Sequence, residues 1–243
     1  MLRPYRLEIV ENCQSCQNRA ERLFCNLSTD ALQAFDTIKF ATAYPSGAVL
    51  FFEGQMPCGI FVLCQGRVKM SVCDQNGKKL IVKIAKPGEV LGLAATVLGR
   101  PYDLTAETIE PCQVGFVKRH YFLAFLKEHP DACFKVAEHL SEKYGAACAE
   151  IRSLGLARTA DQKLAKFLVQ WCESDPAVGD GLGCLQLALT QEELGQLIGT
   201  TRETVIRTLA GFKKEQILEG NRSAFIIRDP GRLRKIAGYR DVS

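Results

Sequence analysis

The sequence predicts an α+β fold in which a β-rich part, a long helix and a small helical domain with a β-hairpin follow one another. Three observations support this order. Short apolar runs separated by glycines fill residues 37–118, a heptad pattern runs through residues 130–154, and two tightly joined helices are indicated between residues 190 and 212. We therefore expect four segments, namely 1–36, 37–128, 129–156 and 157–243.

Residues 37–118 show the pattern of a β-roll or barrel. Their apolar runs are short, and such runs at regular spacing are typical of antiparallel strands. Asn76-Gly77 lies between two of them and predicts a hairpin turn in which both residues have positive φ. The runs are Ala48–Phe52, Ile60–Cys64, Val68–Val72 and Leu80–Ile84.

The segments on either side of this region have helical patterns. Ser28 is placed to cap a short helix over Ser28–Phe35, and Tyr121–Lys127 predicts another. Pro130 suits the first turn of a longer helix, in which apolar residues recur every four and three residues. This is the seam of a two-stranded coiled coil, although a helix packed on its own domain is the alternative. We expect a homodimer whose interface includes Ala137, Leu140, Tyr144, Ala147 and Ile151.

Charge and composition narrow the class of protein. The net charge is +4, and from residue 202 onward ten Lys/Arg stand against five Asp/Glu, a local balance of +5. A basic C-terminal end suits contact with phosphate, although a solvated basic face would look the same. Charges throughout the first 13 residues leave no apolar signal sequence, which predicts a cytoplasmic protein. No nucleophile motif lies beside the three histidines, so we do not expect an enzyme.

The strongest motif is Leu189–Glu219, LTQEELGQLIGTTRETVIRTLAGFKKEQILE. Thr190 and Glu193 form a capping box that begins a helix. Gly199 ends that helix and allows a sharp turn into a second one. A strand pattern at Ala224–Ile227 follows, and helix, helix, hairpin is the order of a winged helix-turn-helix.

The second helix of the motif begins at a cap provided by Thr200 or Thr201 and buries an apolar side formed by Val205, Leu209 and Phe212. On the other side, arginine bonds bidentately to guanine, glutamate accepts from cytosine, and hydroxyls at a helix N-terminus hold phosphates. The alternative is a surface helix with a Glu–Arg pair. The predicted DNA-binding residues are Arg202, Glu203, Arg207, Thr201, Thr204 and Gln191.

Three stretches resemble the CRP/FNR family, the catabolite activator and fumarate-nitrate reduction regulators. Gly54–Met70 looks like its β-roll signature, Pro87–Leu93 like its effector-pocket loop, and Ile198–Leu209 like its recognition helix. The resemblance covers nearly the whole chain. It implies a cyclic-nucleotide-binding-like roll, a dimerisation helix and a winged helix-turn-helix, with double-stranded DNA and RNA polymerase as partners.

The resemblance also implies how the recognition helix reads DNA. Glu203 and Arg207 would read one G·C pair, and Arg202 would contact a second guanine. This predicts a half-site closer to TGTGA than to the TTGAT of the oxygen-sensing branch. Two-fold symmetry then predicts an inverted repeat with half-site centres about 34 Å apart.

The effector loop departs from the cyclic-nucleotide branch. That branch holds the cyclic phosphate with an Arg-Ser or Arg-Thr pair about ten residues after a Gly-Glu pair. Here Gly88-Glu89 is present, but the phosphate-binding pair aligns with Tyr102-Asp103, and a carboxylate repels a phosphodiester. Arg100 lies nearby and is the alternative phosphate ligand. We expect that cyclic AMP is not the effector.

The eleven cysteines include a cluster near the N-terminus, where Cys13, Cys16 and Cys25 bring three soft thiolates together. Cys112 aligns with the fourth cluster ligand of the oxygen-sensing branch. The resemblance therefore favours a 4Fe-4S cluster on these four cysteines, dismantled by oxygen or nitric oxide. A zinc site, a thiol redox switch and a small-molecule effector in the roll stay open. An iron–sulfur electron carrier is the hypothesis of another class, but it leaves the helix-turn-helix unexplained.

Overall fold

The structure is a computed structural model, and it has the α+β fold that the sequence predicts. The chain forms two compact units, Met1–Ile151 and Arg152–Ser243. The finer division into four segments stays a prediction. The residues that the structure describes are 4–7, 9, 13, 23–24, 26–154, 159–173, 184–186, 189–221 and 224–239.

Within the described part of the first unit, eight strands build a roll: β1 (Lys39–Tyr44), β2 (Val49–Phe51), β3 (Gly59–Gln65), β4 (Val68–Cys73), β5 (Lys79–Ala85), β6 (Val90–Leu91), β7 (Thr105–Thr108) and β8 (Cys112–Lys118). They pair antiparallel in two sheets, with strand orders β1-β8-β3-β6 and β2-β7-β4-β5. Each of the four predicted apolar runs falls on one of β2 to β5, so these strands are confirmed.

The hairpin between β4 and β5 is confirmed, but its predicted turn is wrong. Gly77 has a φ of 78°, whereas Asn76 does not have a positive φ. The Asp74 carboxylate accepts hydrogen bonds from the backbone N–H groups of Asn76 and Lys78, at 2.9 and 2.8 Å. This side-chain acceptor stabilises a five-residue connection in which only the glycine needs the left-handed conformation.

The first unit also contains a 3₁₀ turn at Pro4–Arg6 and the helices α1 (Thr29–Ile38), α2 (Leu93–Leu98), α3 (Arg119–Glu128) and α4 (Pro130–Leu154). Ser28 caps α1 as predicted, and α4 begins at Pro130 as predicted. Helix α2 contradicts the all-β prediction for residues 37–118. It lies between Gly92 and Gly99, which both adopt the left-handed conformation, and six residues are too few to show a helical period.

Two apolar clusters form the core of this unit. One lies between the two sheets and includes the rings of Phe51, Phe61 and Tyr102, with Phe51 and Tyr102 stacked at 4.0 Å. The other lies where α1, α3 and the first turns of α4 cover the outer side of β3 and β8. Phe24 and Phe35 stack there at 4.8 Å.

In the second unit, the described elements are α5 (Ala160–Glu173), β9 (Cys184–Gln186), α6 (Gln191–Ile198), α7 (Arg202–Lys214), β10 (Leu218–Asn221), β11 (Ala224–Ile227) and α8 (Pro230–Ile236). The strands form a small sheet of order β10-β11-β9. Strand β9 was not predicted, and the predicted loop over residues 175–183 lies outside the described residues. Among the helices that the structure describes, none has the length and apolar character to cross a membrane.

Candidate nucleic-acid interface

Helix α6 and the turn after it have the predicted signals. The Thr190 hydroxyl accepts from the Glu193 N–H at 3.2 Å, and the Glu193 carboxylate accepts from the Thr190 N–H at 2.8 Å, so the capping box is confirmed. Gly199 has a φ of 67° and ends the helix. A Cβ on Gly195 would lie 2.9 Å from the carbonyl oxygen of Thr200, so this glycine allows the turn to pack against α6.

Thr201 caps helix α7, which decides between the two predicted caps. The Thr201 hydroxyl accepts from the N–H of Thr204 at 3.3 Å and lies 3.2 Å from the Thr204 hydroxyl. Gln191, the first residue of α6, is half-buried. The buried side of α7 consists of Val205, Thr208, Leu209 and Phe212, which adds one polar residue to the predicted three.

The opposite side of α7 presents the predicted base-reading groups to solvent. Arg202, Glu203, Ile206 and Arg207 are all exposed, in the first two turns of the helix. Hydrogen bonds from its own backbone N–H and from Thr201 lower the pKa of the Glu203 carboxyl. Glu203 is therefore an acceptor at neutral pH, between arginines that are donors only. This pattern of donors and acceptors matches the edges of G·C pairs in a major groove.

Two side chains of α5 contact the helix-turn-helix, and neither contact was predicted from the sequence. The Asp161 carboxylate accepts from the Thr208 hydroxyl at 2.6 Å, and the Lys163 ammonium donates to the carbonyl of Ile198 at 3.4 Å. The sequence feature that could have indicated these contacts is Thr208, because its hydroxyl falls among the buried positions of an amphipathic helix and needs a partner there.

One cysteine of the predicted N-terminal triplet, Cys13, is described by the structure. It lies against Lys39, the first residue of β1. Cys13 is buried, and its sulfur lies 2.8 Å from the Lys39 ammonium, which also donates to Asp36 at 2.7 Å. Burial opposes the charge of Lys39, but its hydrogen bonds to Asp36 and Cys13 outweigh this and raise the pKa of the Lys39 ammonium. Cys16 and Cys25 lie outside the described residues.

Cys112 lies at the other end of the same strand pair. Lys39 pairs with Val117, whereas Tyr44 pairs with Cys112. Five residues of extended chain, about 17 Å at roughly 3.4 Å each, separate these two points. Cys13 and Cys112 also belong to different apolar clusters.

The surroundings of Cys112 are those of a structural thiol. Burial, and next the negative charge of Glu110, raise the pKa of Cys112 to about 12. Its sulfur donates to the carbonyls of Arg67 and Glu110 at 3.3 and 3.2 Å. A cluster ligand must be a thiolate, whereas Cys112 here is a thiol that lies apart from Cys13. Because Cys16 and Cys25 lie outside the described residues, the four-cysteine site stays a prediction. Within the ranges that the structure describes, no group of three or more His, Cys, Asp or Glu could hold a metal ion.

Tyr102 and Glu89, two residues of the predicted effector region, are bonded to other groups of the first unit. The Tyr102 ring is buried, and its hydroxyl donates to the carbonyl of Gly59 at 2.8 Å. Glu89 forms ion pairs with Lys83 and, at 3.2 Å, with Lys143 of α4. Burial opposes its ionisation, but Lys83 and then Lys143 outweigh this and lower the pKa of Glu89. Asp103 and the alternative phosphate ligand, Arg100, are exposed.

The predicted dimer seam lies along α4. Three of its residues, Ala137, Tyr144 and Ala147, are exposed, and Tyr144 is 73% exposed. Leu140 is half-buried and packs against the core of the first unit. The side chain of Ile151 lies outside the described residues.

A helix pair with a tight turn, an exposed basic face and a small following sheet defines a winged helix-turn-helix DNA-binding protein, here with a β-roll in its other unit. Family models agree with this class. The cyclic nucleotide-binding domain matches residues 41–129, and the Crp-like helix-turn-helix domain matches residues 162–236.

Relatives carry both parts in one chain. The nitrogen fixation regulation protein FixK of Bradyrhizobium diazoefficiens is 24% identical over 225 residues, which are 93% of each chain. The cAMP-activated global transcriptional regulator CRP of Pasteurella multocida is 22% identical over 76% of this chain and 88% of its own. The solved structure of FixK2 from Bradyrhizobium japonicum has a TM-score of 0.73 at 22% identity, covering 84% of this chain and 99% of that one.

The chain belongs to the CRP/FNR family and is a DNA-binding transcription regulator. The family resemblance of the sequence is thereby confirmed. The relatives are named as regulators rather than enzymes.

Proposed function

We propose that this regulator binds, as a homodimer, an inverted-repeat operator that it reads with α7, in the cytoplasm and together with RNA polymerase. The observation that carries the proposal is the division of α7 into two sides. Arg202, Glu203 and Arg207 are exposed on one side, while apolar residues anchor the other. A helix held in this way can enter a major groove with its N-terminal half.

The chemistry of these three residues favours a half-site of the TGTGA type, which contains two G·C pairs. Arg207 and Glu203 can donate to guanine and accept from cytosine of one base pair, and Arg202 can bond a second guanine. Ile206 is exposed between them and can contact a thymine methyl group. The proposal assigns the phosphate contact to the hydroxyls of Thr201 and Thr204 together with the N-terminus of α7.

Selection of binding sites from random DNA tests this proposal. Wild type should enrich inverted repeats of TGTGA-like half-sites. Arg202→Ala should bind more weakly and lose preference at one base, since a bidentate contact contributes about 1–3 kcal/mol of discrimination. Lys214→Ala is the matched control, because Lys214 is exposed in the last turn of α7 and a phosphate contact there carries no sequence preference. Recovery of identical TTGAT repeats by wild type and Arg202→Ala would show that Arg202 reads no base.

We also propose that the effector is not cyclic AMP, although relatives are named as cAMP-activated. The support is the packing of the loop. Tyr102 lies buried at the position of the family's phosphate ligand, and Glu89 is already paired with two lysines. Isothermal calorimetry should detect no binding of cyclic AMP, and a micromolar dissociation constant would refute this.

For the signal, we propose redox state sensed by the N-terminal cysteines. The support is the thiol triplet of Cys13, Cys16 and Cys25, which would supply the soft ligands of an oxygen-sensing iron–sulfur cluster or of zinc, or the thiols of a redox switch. Cys112, the fourth ligand that the family resemblance implies, lies apart from Cys13 in this structure. Anaerobic and peroxide-treated protein should differ in operator affinity, and equal affinities would refute redox sensing.

A further inference from the structure

The contact between α5 and α7 is directional and short. Thr208 donates its hydroxyl hydrogen to Asp161 at 2.6 Å, a distance typical of a charge-assisted O–H···O⁻ bond. Asp161 is not needed as the cap of α5, because the Thr159 hydroxyl accepts from the Gln162 N–H at 3.3 Å there. Its carboxylate can therefore accept from Thr208. The bond joins α5 to the middle of the recognition helix.

Thr208 differs from the residues around it on the buried side of α7. It is only 5% exposed, and its neighbours there are the apolar Val205, Leu209 and Phe212. Apolar contacts hold the helix against the domain but have no preferred direction. A hydrogen bond prefers an angle above about 150° and weakens steeply below about 120°, so this bond favours one rotation of α7 about its own axis.

Small rotations matter at the other side of the helix. A side chain tip lies about 5–6 Å from a helix axis, so a turn of about 20° moves it by about 2 Å. Contacts of a binding site must be held within about 0.5 Å and 10–20° to be productive. Arg202 and Arg207 therefore depend on whatever defines this rotation.

We propose that Asp161 and Thr208 are positioning residues for base reading, and that their hydrogen bond sets the rotation of α7 at which its arginines meet guanine. Lys163 supports the same geometry from the neighbouring turn, because its ammonium donates to the carbonyl of Ile198 at the end of α6. The inference rests on the proposed operator reading.

The test uses Thr208→Val, which keeps the shape of the side chain and removes the hydroxyl. Full-length wild type and variant are titrated, by fluorescence anisotropy, with a TGTGA inverted repeat and with a random duplex of equal length. The ratio of the two affinities should fall about 5- to 10-fold in the variant. A loss of this size corresponds to part of the discrimination that one base contact provides. Affinity for the random duplex and its salt dependence should stay within about twofold, because phosphate contacts tolerate a small rotation.

Conservative variants separate positioning from a merely structural role. Thr208→Ser keeps the donor and Asp161→Asn keeps an acceptor, so both should retain the wild-type affinity ratio. Asp161→Ala should reproduce the loss seen in Thr208→Val, and because Asp161 is exposed, this variant serves as the test even where Thr208→Val does not fold.

An unchanged affinity ratio in folded Thr208→Val or in Asp161→Ala would overturn the inference, whatever the change in thermal stability. Failure of the proposed function looks different. In that case wild type itself would show no preference for the inverted repeat over the random duplex.

Discussion

At the residue scale, the burial of Lys39 and Phe40 is the reverse of what is usual, because the lysine is buried and the phenylalanine is exposed. The side chain of Lys39 is 2% exposed, whereas Phe40 is 52% exposed. Buried lysines are rare unless paired, and here Asp36 and Cys13 supply the partners. Gly115 supplies the space, because a Cβ there would lie 2.8 Å from the Lys39 side chain.

Cys112 provides the residue-scale prediction. Because burial raises the pKa of Cys112 to about 12, almost none of it is thiolate at about pH 8, and only thiolate is alkylated. In chelator-treated native protein, iodoacetamide should label the exposed Cys58 and Cys133 while Cys112 stays unmodified. In urea all three should react alike. Mass spectrometry that finds Cys112 labelled as fast as Cys58 in native protein would contradict its structural role.

The residue scale also shows where sequence reasoning reaches its limit. The exposed face of α7 was predictable because caps and helical period place Arg202, Glu203 and Arg207 opposite the apolar positions. The surroundings of Cys112 could not be predicted in this way, because they depend on the register between strands. Only the pairing of β1 with β8 reveals that Cys112 and Lys39 lie at opposite ends.

At the element scale, caps and turns determine the helix-turn-helix, and they also separate what was predictable from what was not. Capping boxes and glycine stops are local, so α6 and the start of α7 could be read from four or five residues. The turn after β4 could not, because a carboxylate of the strand end, Asp74, replaces the expected two-residue turn. Strand β9 has three residues, too short to show an alternating pattern.

Thr201→Ala tests the element scale. It removes the acceptor for the Thr204 N–H at the start of α7, so the free energy of unfolding should fall by about 1 kcal/mol. Thr200→Ala is the matched control, because Thr200 precedes the cap and no hydrogen bond of its hydroxyl is seen within the described residues. Urea denaturation monitored by circular dichroism measures both variants. Equal losses would show that Thr201 is not the cap that matters.

At the scale of the whole molecule, the proposed reading of an inverted repeat needs two copies of α7, and we propose that α4 brings them together. Its exposed residues Ala137, Tyr144 and Ala147 recur at heptad spacing, which is the pattern of a helix that pairs with a second copy. Each half-site then faces one recognition helix, and the distance between half-sites is set by the dimer.

The measurement that tests this account most directly compares two operators. Both carry the TGTGA inverted repeat, one with half-site centres about 34 Å apart and one with five extra base pairs between them, which turns one half-site about 180° around the duplex. Wild type should bind the first tightly and the second no better than random DNA. Tyr144→Glu, which buries a charge in the seam, should lose this difference, while Ala146→Glu, exposed beside the seam, should keep it. Equal affinity of wild type for both operators would contradict a symmetric dimer that reads DNA with α7.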